Sequence, residues 1–130
     1  MKIMIGYDGS EESKRALDLA AKHAKAFKGT VFIVTAMKQE SELELKDIER
    51  AERKLREAEI HCKKEKVPVE KHLVVNDMEP GETLVQFIKD HAIDEAVIGI
   101  RKTSKVGKFL FGSTAQYLVL ESPCPVATVK

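Results

Sequence analysis

Short runs of apolar residues alternate with amphipathic segments along the whole chain. Residues 30–37 are rich in β-branched side chains without polar alternation, a pattern typical of a strand buried on both faces. The segment that precedes them carries apolar residues at helical spacing: Ala16, Leu17, Ala20, Ala24 and Phe27. We expect Ser10 to cap this helix and the helix to end near Gly29.

The same patterns predict the other elements. Strands are expected over 2–7, 30–37, 68–75, 95–100 and 126–130, and helices over 10–29, 41–66, 82–91 and 114–120. Right-handed crossovers between alternating strands and helices produce a parallel sheet that is covered by helices. We therefore predict one α/β domain over 1–130, a Rossmann-like, five-stranded parallel sheet with helices on both faces.

The predicted helix over 41–66 is long and highly charged, and its apolar positions form one narrow stripe. We expect this stripe to pack on the sheet while the rest of the helix is solvated; a docking surface for a partner is the alternative. The stripe consists of Leu45, Ile48, Ala51 or Glu52, Leu55, Ala58 and Cys62.

Composition excludes several classes of partner. The 130 residues include 22 basic and 21 acidic side chains, so the net charge does not indicate binding to nucleic acid or to a membrane surface. No apolar run approaches the roughly 20 residues that a membrane span needs. Residues 1–6 are expected to begin the first strand, with no signal peptide. Cys62 and Cys124 lie far apart, which favours reduced thiols in a cytoplasmic protein.

The segment from the fourth strand to the last helix has the features of an anion site. A basic loop over 101–108 follows the strand, and Gly112-Ser113 stands at the start of the helix. The backbone N–H groups of a first helical turn have no partners within the helix and attract anions. Lysine and arginine side chains in the loop add positive charge. This arrangement predicts a phosphate site.

The predicted topology places a second group of residues beside that site. Ligands of open parallel sheets bind beyond the carboxyl ends of the strands, where the strand order reverses. We therefore expect the ends of the first and fourth strands to flank one crevice: Tyr7, Asp8 and Gly9 from the first, and Ile98, Gly99 and Ile100 from the fourth.

These residues resemble the universal stress protein family along essentially the whole chain. The opening strand ends in Asp8-Gly9-Ser10, and the closing strand begins with Pro123-Cys124-Pro125-Val126. The nucleotide-binding branch of that family carries a Gly, two residues, a second Gly, nine residues, and then Gly with Ser or Thr. Here Gly99 fits the first position and Gly112-Ser113 the last pair, but Lys102 stands where the second Gly is expected.

The resemblance implies a binding site for an adenine nucleotide, ATP with Mg²⁺. It implies adenine and ribose near Asp8 and 34–36, Ile98 and Gly99 under the nucleotide, and the first turn of the last helix at the phosphates. It also implies a homodimer that pairs through the last strand, which would be an unpaired edge in a monomer. The implied binding residues are Tyr7, Asp8, Gly9, Ala36, Ile98, Gly99, Arg101, Lys102, Gly112, Ser113 and Thr114.

Each of these residues also has a simpler interpretation. Asp8 is suited to an Asp-Gly turn, and Ser113 to a helix N-cap. Gly99 and Gly112 are compatible with close packing or a tight turn, and the lysines of the loop with a solvated surface. At Lys102, the Cβ either closes the approach of the backbone to phosphate or lets the ammonium reach the phosphates instead.

Other functions fit the sequence less well. Walker and dinucleotide motifs are absent, the four histidines lack ligand spacing, and no nucleophile–base pair stands out, so we expect no catalysis beyond slow hydrolysis of a bound nucleotide. The resemblance implies a sensor or regulator. A phospho-acceptor domain would use Asp77 after the third strand, but the first strand supplies one acid, Asp8, and the final helix of that fold is missing. A nucleotide-independent dimer remains the alternative if Lys102 blocks the loop.

Overall fold

Strands and helices alternate in the predicted order, with one additional hairpin. The computed structural model describes residues 1–102, 109–110 and 112–130, with 102, 109 and 110 described by their backbone. The elements are β1 (Lys2–Gly6), α1 (Glu11–Phe27), β2 (Thr30–Lys38), α2 (Leu45–Lys64), β3 (Val69–Asn76), α3 (Pro80–His91), β4 (Glu95–Gly99), β5 (Arg101–Lys102), β6 (Phe109–Leu110), α4 (Ser113–Glu121) and β7 (Val126–Val129).

Five strands form one parallel sheet in the order β3-β2-β1-β4-β7, which confirms the predicted fold class. The strand order reverses between β1 and β4, where Gly6 pairs with Ile98. Successive side chains point to opposite faces of a strand, so each face builds its own core. The core that contains Ile3 and Ile5 includes residues of α1 and α2. The core that contains Met4 includes residues of α3 and α4.

Helix α1 begins and ends close to the predicted positions, but a different residue forms its C-cap. The Ser10 hydroxyl accepts a hydrogen bond from the Ser13 amide at 3.2 Å, which caps the helix. Lys28, and not Gly29, adopts the left-handed conformation at the C-cap, with φ +51°. The buried stripe ends at Ala24, so Phe27 is 60% exposed instead of packing on the sheet.

Helix α2 starts four residues later than predicted, at Leu45. Asp47 accepts a hydrogen bond from the backbone N–H of Glu44 at 3.0 Å, and the two residues form a capping box that places the helix start there. The predicted packing of Leu45 is wrong, since this residue is 70% exposed. The fully buried face is limited to the later part of the stripe, Leu55, Ala58 and Cys62. Burial raises the pKa of the Cys62 thiol to about 11.

The remaining differences concern element ends and the loop after β4. Helix α3 starts at Pro80, since proline suits the first turn, where its missing N–H is not needed. Helix α4 starts at Ser113 with Gly112 as its N-cap, so the interpretation of Ser113 as an N-cap is wrong. The β5–β6 hairpin was not expected, and the rest of the predicted basic loop, 103–108, lies outside the described residues.

Candidate functional site

A cavity of about 580 Å³ opens at the carboxyl ends of β1, β2 and β4. It lies where the strand order reverses, as predicted for an open parallel sheet. Its walls come from the ends of these strands, the first turn of α1, the start of α4 and Leu84 of α3. The lining residues are Gly6, Tyr7, Asp8, Ser10, Ser13, Val34, Ala36, Leu84, Ile98, Gly99, Ile100, Arg101, Gly112, Ser113, Thr114 and Ala115.

Among the predicted binding residues whose side chains the structure describes, all except Gly9 line this cavity. Gly9 forms the turn behind the wall, with φ +82°, and is not a lining residue. The backbone of Lys102 lies in β5, and its side chain falls outside the described part of the chain. Tyr7 reaches the cavity at the strand end while its side chain packs in the core that contains Ile3 and Ile5.

Two helix N-termini contribute to the cavity wall, and they differ in their capping. The N-terminus of α1 is satisfied by the Ser10 hydroxyl. The N-cap of α4 is Gly112, which has no side chain, so the N-cap residue itself supplies no side-chain hydrogen bond to the first turn of this helix. The amides of Ser113 and Thr114 lie in that turn and have no acceptor within the helix. The start of α4 therefore offers hydrogen-bond donors and a positive dipole end to an anion.

Gly112 leaves open space in the cavity. An added Cβ at this position would meet no atom within 4 Å among the described residues. Its φ of −62° is compatible with any L-residue, so neither packing nor backbone strain among these residues requires a glycine here. The packing interpretation of Gly112 is therefore wrong for the part of the chain that the structure describes. The absence of a side chain leaves room for a ligand next to the α4 amides.

Gly99 has a different reason to be glycine. An added Cβ here would lie 2.5 Å from the backbone carbon of Glu12 and 2.6 Å from its carbonyl oxygen. The end of β4 thus approaches the first turn of α1 too closely for any side chain, and the packing interpretation of Gly99 is confirmed. The residue lines the cavity as well.

Asp8 holds a carboxylate at the cavity through a network of local hydrogen bonds. Its Oδ1 accepts the backbone N–H of Ser10 at 2.9 Å, as expected for an Asp-Gly turn. Burial raises the pKa of Asp8, but hydrogen bonds from Ser10 and Ser13 and the charge of Arg101 together bring it below the ordinary value. Asp8 is therefore ionised at neutral pH and accepts hydrogen bonds from hydroxyl or amino groups.

Arg101 supplies the positive side chain of the described wall. Its Nε lies 3.4 Å from Oε2 of Glu12, while its side chain remains 72% exposed. An exposed ion pair of this kind is weak, so the guanidinium is available to a second anion. Arg101 and the start of α4 line the same cavity and together form its positive part.

Sequence reasoning missed several residues of the wall. Ser13 is buried, and its hydroxyl donates to the Ser10 carbonyl at 2.9 Å, a contact consistent with its position in the first helical turn. Leu84 has no signal in the local sequence that connects it with the cavity. It reaches the wall because α3 packs over Gly6, where an added Cβ would lie 3.1 Å from Leu84 Cδ1.

A comparison with known protein families finds a match over the whole chain. The family model of the universal stress protein family matches residues 1–130. The chain belongs to the universal stress protein family. This result confirms the resemblance found in the Asp-Gly-Ser turn, the glycine pattern from Gly99 to Gly112 and the closing strand. It also sets aside the phospho-acceptor alternative: Asp77 follows β3, β2 separates β3 from β1, and Asp77 does not line the cavity.

Individual relatives within the universal stress protein family extend the comparison. A protein of Thermus aquaticus, named universal stress protein in QAH/OAS sulfhydrylase 3'region, is 31% identical over 98% of this chain and 97% of its own. A universal stress protein of Archaeoglobus fulgidus is 33% identical, with a TM-score of 0.93 over 100% of this chain and 98% of the other. A structure of the A. fulgidus universal stress protein in complex with dAMP is 30% identical, with a TM-score of 0.87 over the same shares. A universal stress protein with this fold therefore binds a nucleotide.

The described parts of the chain lack two further features. Within 1–102, 109–110 and 112–130, no group of three or more His, Cys, Asp or Glu residues is placed to hold a metal ion. No described helix combines the length and apolar character needed to cross a membrane.

Proposed function

We propose that this universal stress protein binds an adenine nucleotide in the cavity at the reversal of the strand order and acts in the cytoplasm as a stress-response sensor or regulator. The observation that carries the proposal is the open space at Gly112 beside the uncapped first turn of α4. This space has the position and the donors that a phosphate group requires.

The rest of the cavity suits the other parts of a nucleotide. Ala36 and Ile98 offer apolar surface for the base, and the Asp8 carboxylate accepts hydrogen bonds from ribose hydroxyls or from an amino group. Arg101 adds a charge-assisted donor for phosphate. The proposal is also supported by the related A. fulgidus structure in complex with dAMP. Lys102 is proposed to direct its ammonium to the phosphates in place of the missing glycine.

We further propose that the bound nucleotide is not turned over. Asp8 is the only carboxylate among the described lining residues, and these include no histidine that could act as a general base beside Ser10, Ser13, Ser113 or Thr114. Mg²⁺ would therefore be held mainly by the phosphates and by water, which matches its preference for oxygen ligands and retained waters.

Calorimetric titration with ATP and Mg²⁺ beside AMP tests the nucleotide proposal. We expect both to bind, with ATP about tenfold tighter if Lys102 donates a charge-assisted hydrogen bond to the additional phosphates. The matched variant Lys102→Met should reduce the preference for ATP and leave AMP unchanged. Absence of heat for both nucleotides at high concentration would contradict nucleotide binding and favour the nucleotide-independent dimer.

We also propose a homodimer that forms through β7. Within the described part of the chain, β4 is the only strand that pairs with β7. Helix α4, which precedes β7 along the chain, exposes Val119 and Leu120, the latter to 71%. An unpaired strand edge is suited to pairing with a second copy, and exposed apolar side chains add surface that such a contact can bury.

Sedimentation equilibrium tests the dimer. We expect a mass twice the 14.6 kDa of one chain. The carbonyls of Pro125 and Val129 face β4, so by alternation Thr128 directs its backbone groups to the free edge. Thr128→Pro removes that outward N–H and should shift the protein towards monomer, whereas Thr128→Ser keeps the N–H and should remain dimeric. A monomeric parent protein, or dimerisation equal in the two variants, would contradict the proposed interface.

A further inference from the structure

A second, smaller cavity of about 300 Å³ lies beside the first. It lies between the end of β2 and the first turns of α2, where the apolar stripe of α2 is not fully packed. Its walls include Thr35, Met37, Arg50 and Lys54, and it shares Asp8 with the nucleotide cavity. Asp8 and its turn thus separate two spaces, and α2 approaches the turn from the side of the second one.

Lys54 of α2 makes direct contact with the turn that carries Asp8. Gly9 has φ +82°, and an added Cβ there would lie 2.6 Å from Cδ of Lys54 and 3.1 Å from its Cε. The aliphatic stem of Lys54 therefore lies closely over Gly9. Its Nζ donates a hydrogen bond to the backbone carbonyl of Asp8 at 3.3 Å. A lysine that buries its stem and uses its ammonium in this way acts through packing as well as through charge.

We propose that Lys54 is a positioning residue for the nucleotide site, because it holds the Asp8–Gly9 turn from the side opposite to the nucleotide. The Ser10 amide holds the Asp8 carboxylate, and Lys54 holds the Asp8 carbonyl. Together they determine where the carboxylate points in the nucleotide cavity. The expected effect on nucleotide affinity rests on the proposed function, because it requires that a nucleotide binds in the first cavity.

The matched comparison is Lys54→Met against Arg50→Met. Methionine keeps most of the stem and removes the ammonium, so the hydrogen bond to Asp8 is lost. Arg50 lines the same cavity one turn earlier on α2, and its guanidinium pairs with the Asp47 carboxylate at 3.9 Å instead of contacting the turn. Both variants remove one positive charge from the same wall, and only one removes a contact with the turn.

We expect Lys54→Met to weaken AMP binding about tenfold, the loss of a hydrogen bond that helps to orient a charged group. Arg50→Met should bind like the parent protein, and Lys54→Arg, which keeps a donor at the same position, should restore most of the affinity. The backbone amide resonances of Gly9 and Ser10 in the nucleotide-free protein should move in Lys54→Met and stay in place in Arg50→Met. Thermal unfolding of both variants should be close to that of the parent.

The outcomes separate this inference from the proposed function. If the parent binds AMP and the two methionine variants bind equally well, the inference is overturned while the nucleotide site stands. If the parent binds no nucleotide, the proposed function fails and the amide resonances decide: a shift confined to Lys54→Met supports the positioning of the turn, and unchanged resonances overturn it.

Discussion

Replacing Gly112 by valine should abolish adenine-nucleotide binding and leave the fold intact. Among the described residues, no atom lies within 4 Å of a Cβ added at this position, and its backbone conformation is accessible to valine. A branched side chain would occupy the space next to the Ser113 and Thr114 amides, where we propose that phosphate binds. We expect affinity for ATP and AMP to fall about 100-fold or more, equivalent to about 2.7 kcal/mol of binding free energy.

Gly112→Ala is the matched control, because it adds only the Cβ for which the nucleotide-free cavity has space. It should weaken binding less than valine does. Thermal unfolding should show only a modest loss of stability in both variants, up to about 1 kcal/mol, because glycine is preferred over alanine and valine at an N-cap but makes no side-chain hydrogen bond that could be lost. Unchanged affinity in Gly112→Val would rule out phosphate binding at the start of α4.

Replacing Gly99 by alanine should instead destabilise the fold, with a large loss in the free energy of unfolding. The added Cβ would lie 2.5 Å from backbone carbon and 2.6 Å from carbonyl oxygen of Glu12. Strand β4 is paired on both sides and α1 packs on the sheet, so neither backbone moves easily. Overpacking of this kind destabilises proteins by about 1–3 kcal/mol, and contact with backbone atoms places the expected loss near the upper value, about 3 kcal/mol.

Urea denaturation of Gly99→Ala and Gly112→Ala measures this difference with the same chemical change at two sites. We expect a clear loss in the free energy of unfolding for Gly99→Ala, which is a substantial part of the roughly 5–15 kcal/mol of a typical domain. Gly112→Ala should unfold near the parent midpoint. Equal urea midpoints in the two variants would contradict this prediction and show that β4 and α1 can move apart without a measurable loss of stability.

Gly99 and Gly112 show what a sequence motif can and cannot predict. Both fit the nucleotide-binding pattern, and sequence alone left packing and ligand approach open for each of them. Only the neighbouring atoms separate the cases: Glu12 lies against Gly99, and nothing lies against Gly112 among the described residues. Glu12 is far from Gly99 along the chain, so no local pattern could reveal that contact.

The position of Asp8 was predictable for a different reason. Short apolar runs identified the strands, their alternation with helices implied a parallel sheet, and parallel sheets bring their carboxyl ends to one edge. This reasoning placed Ile98 near Asp8, whereas Ala36 was placed there only by the resemblance to the universal stress proteins. In the structure all three residues line one cavity. It could not identify Leu84, because the packing of α3 over Gly6 depends on side-chain shapes on two separate elements.

Local patterns were enough to predict the type, order and approximate limits of the main strands and helices, and through them the fold and the edge at which the candidate site lies. Short β-branched apolar runs indicate buried strands, and the 3.6-residue repeat indicates helices, and both can be read within a few neighbouring residues. Two features required the three-dimensional packing: α2 is fully buried only from Leu55 onward, and Lys54 contacts the Asp8–Gly9 turn. Such contacts join residues far apart in the chain, and their geometry is set by how whole elements pack.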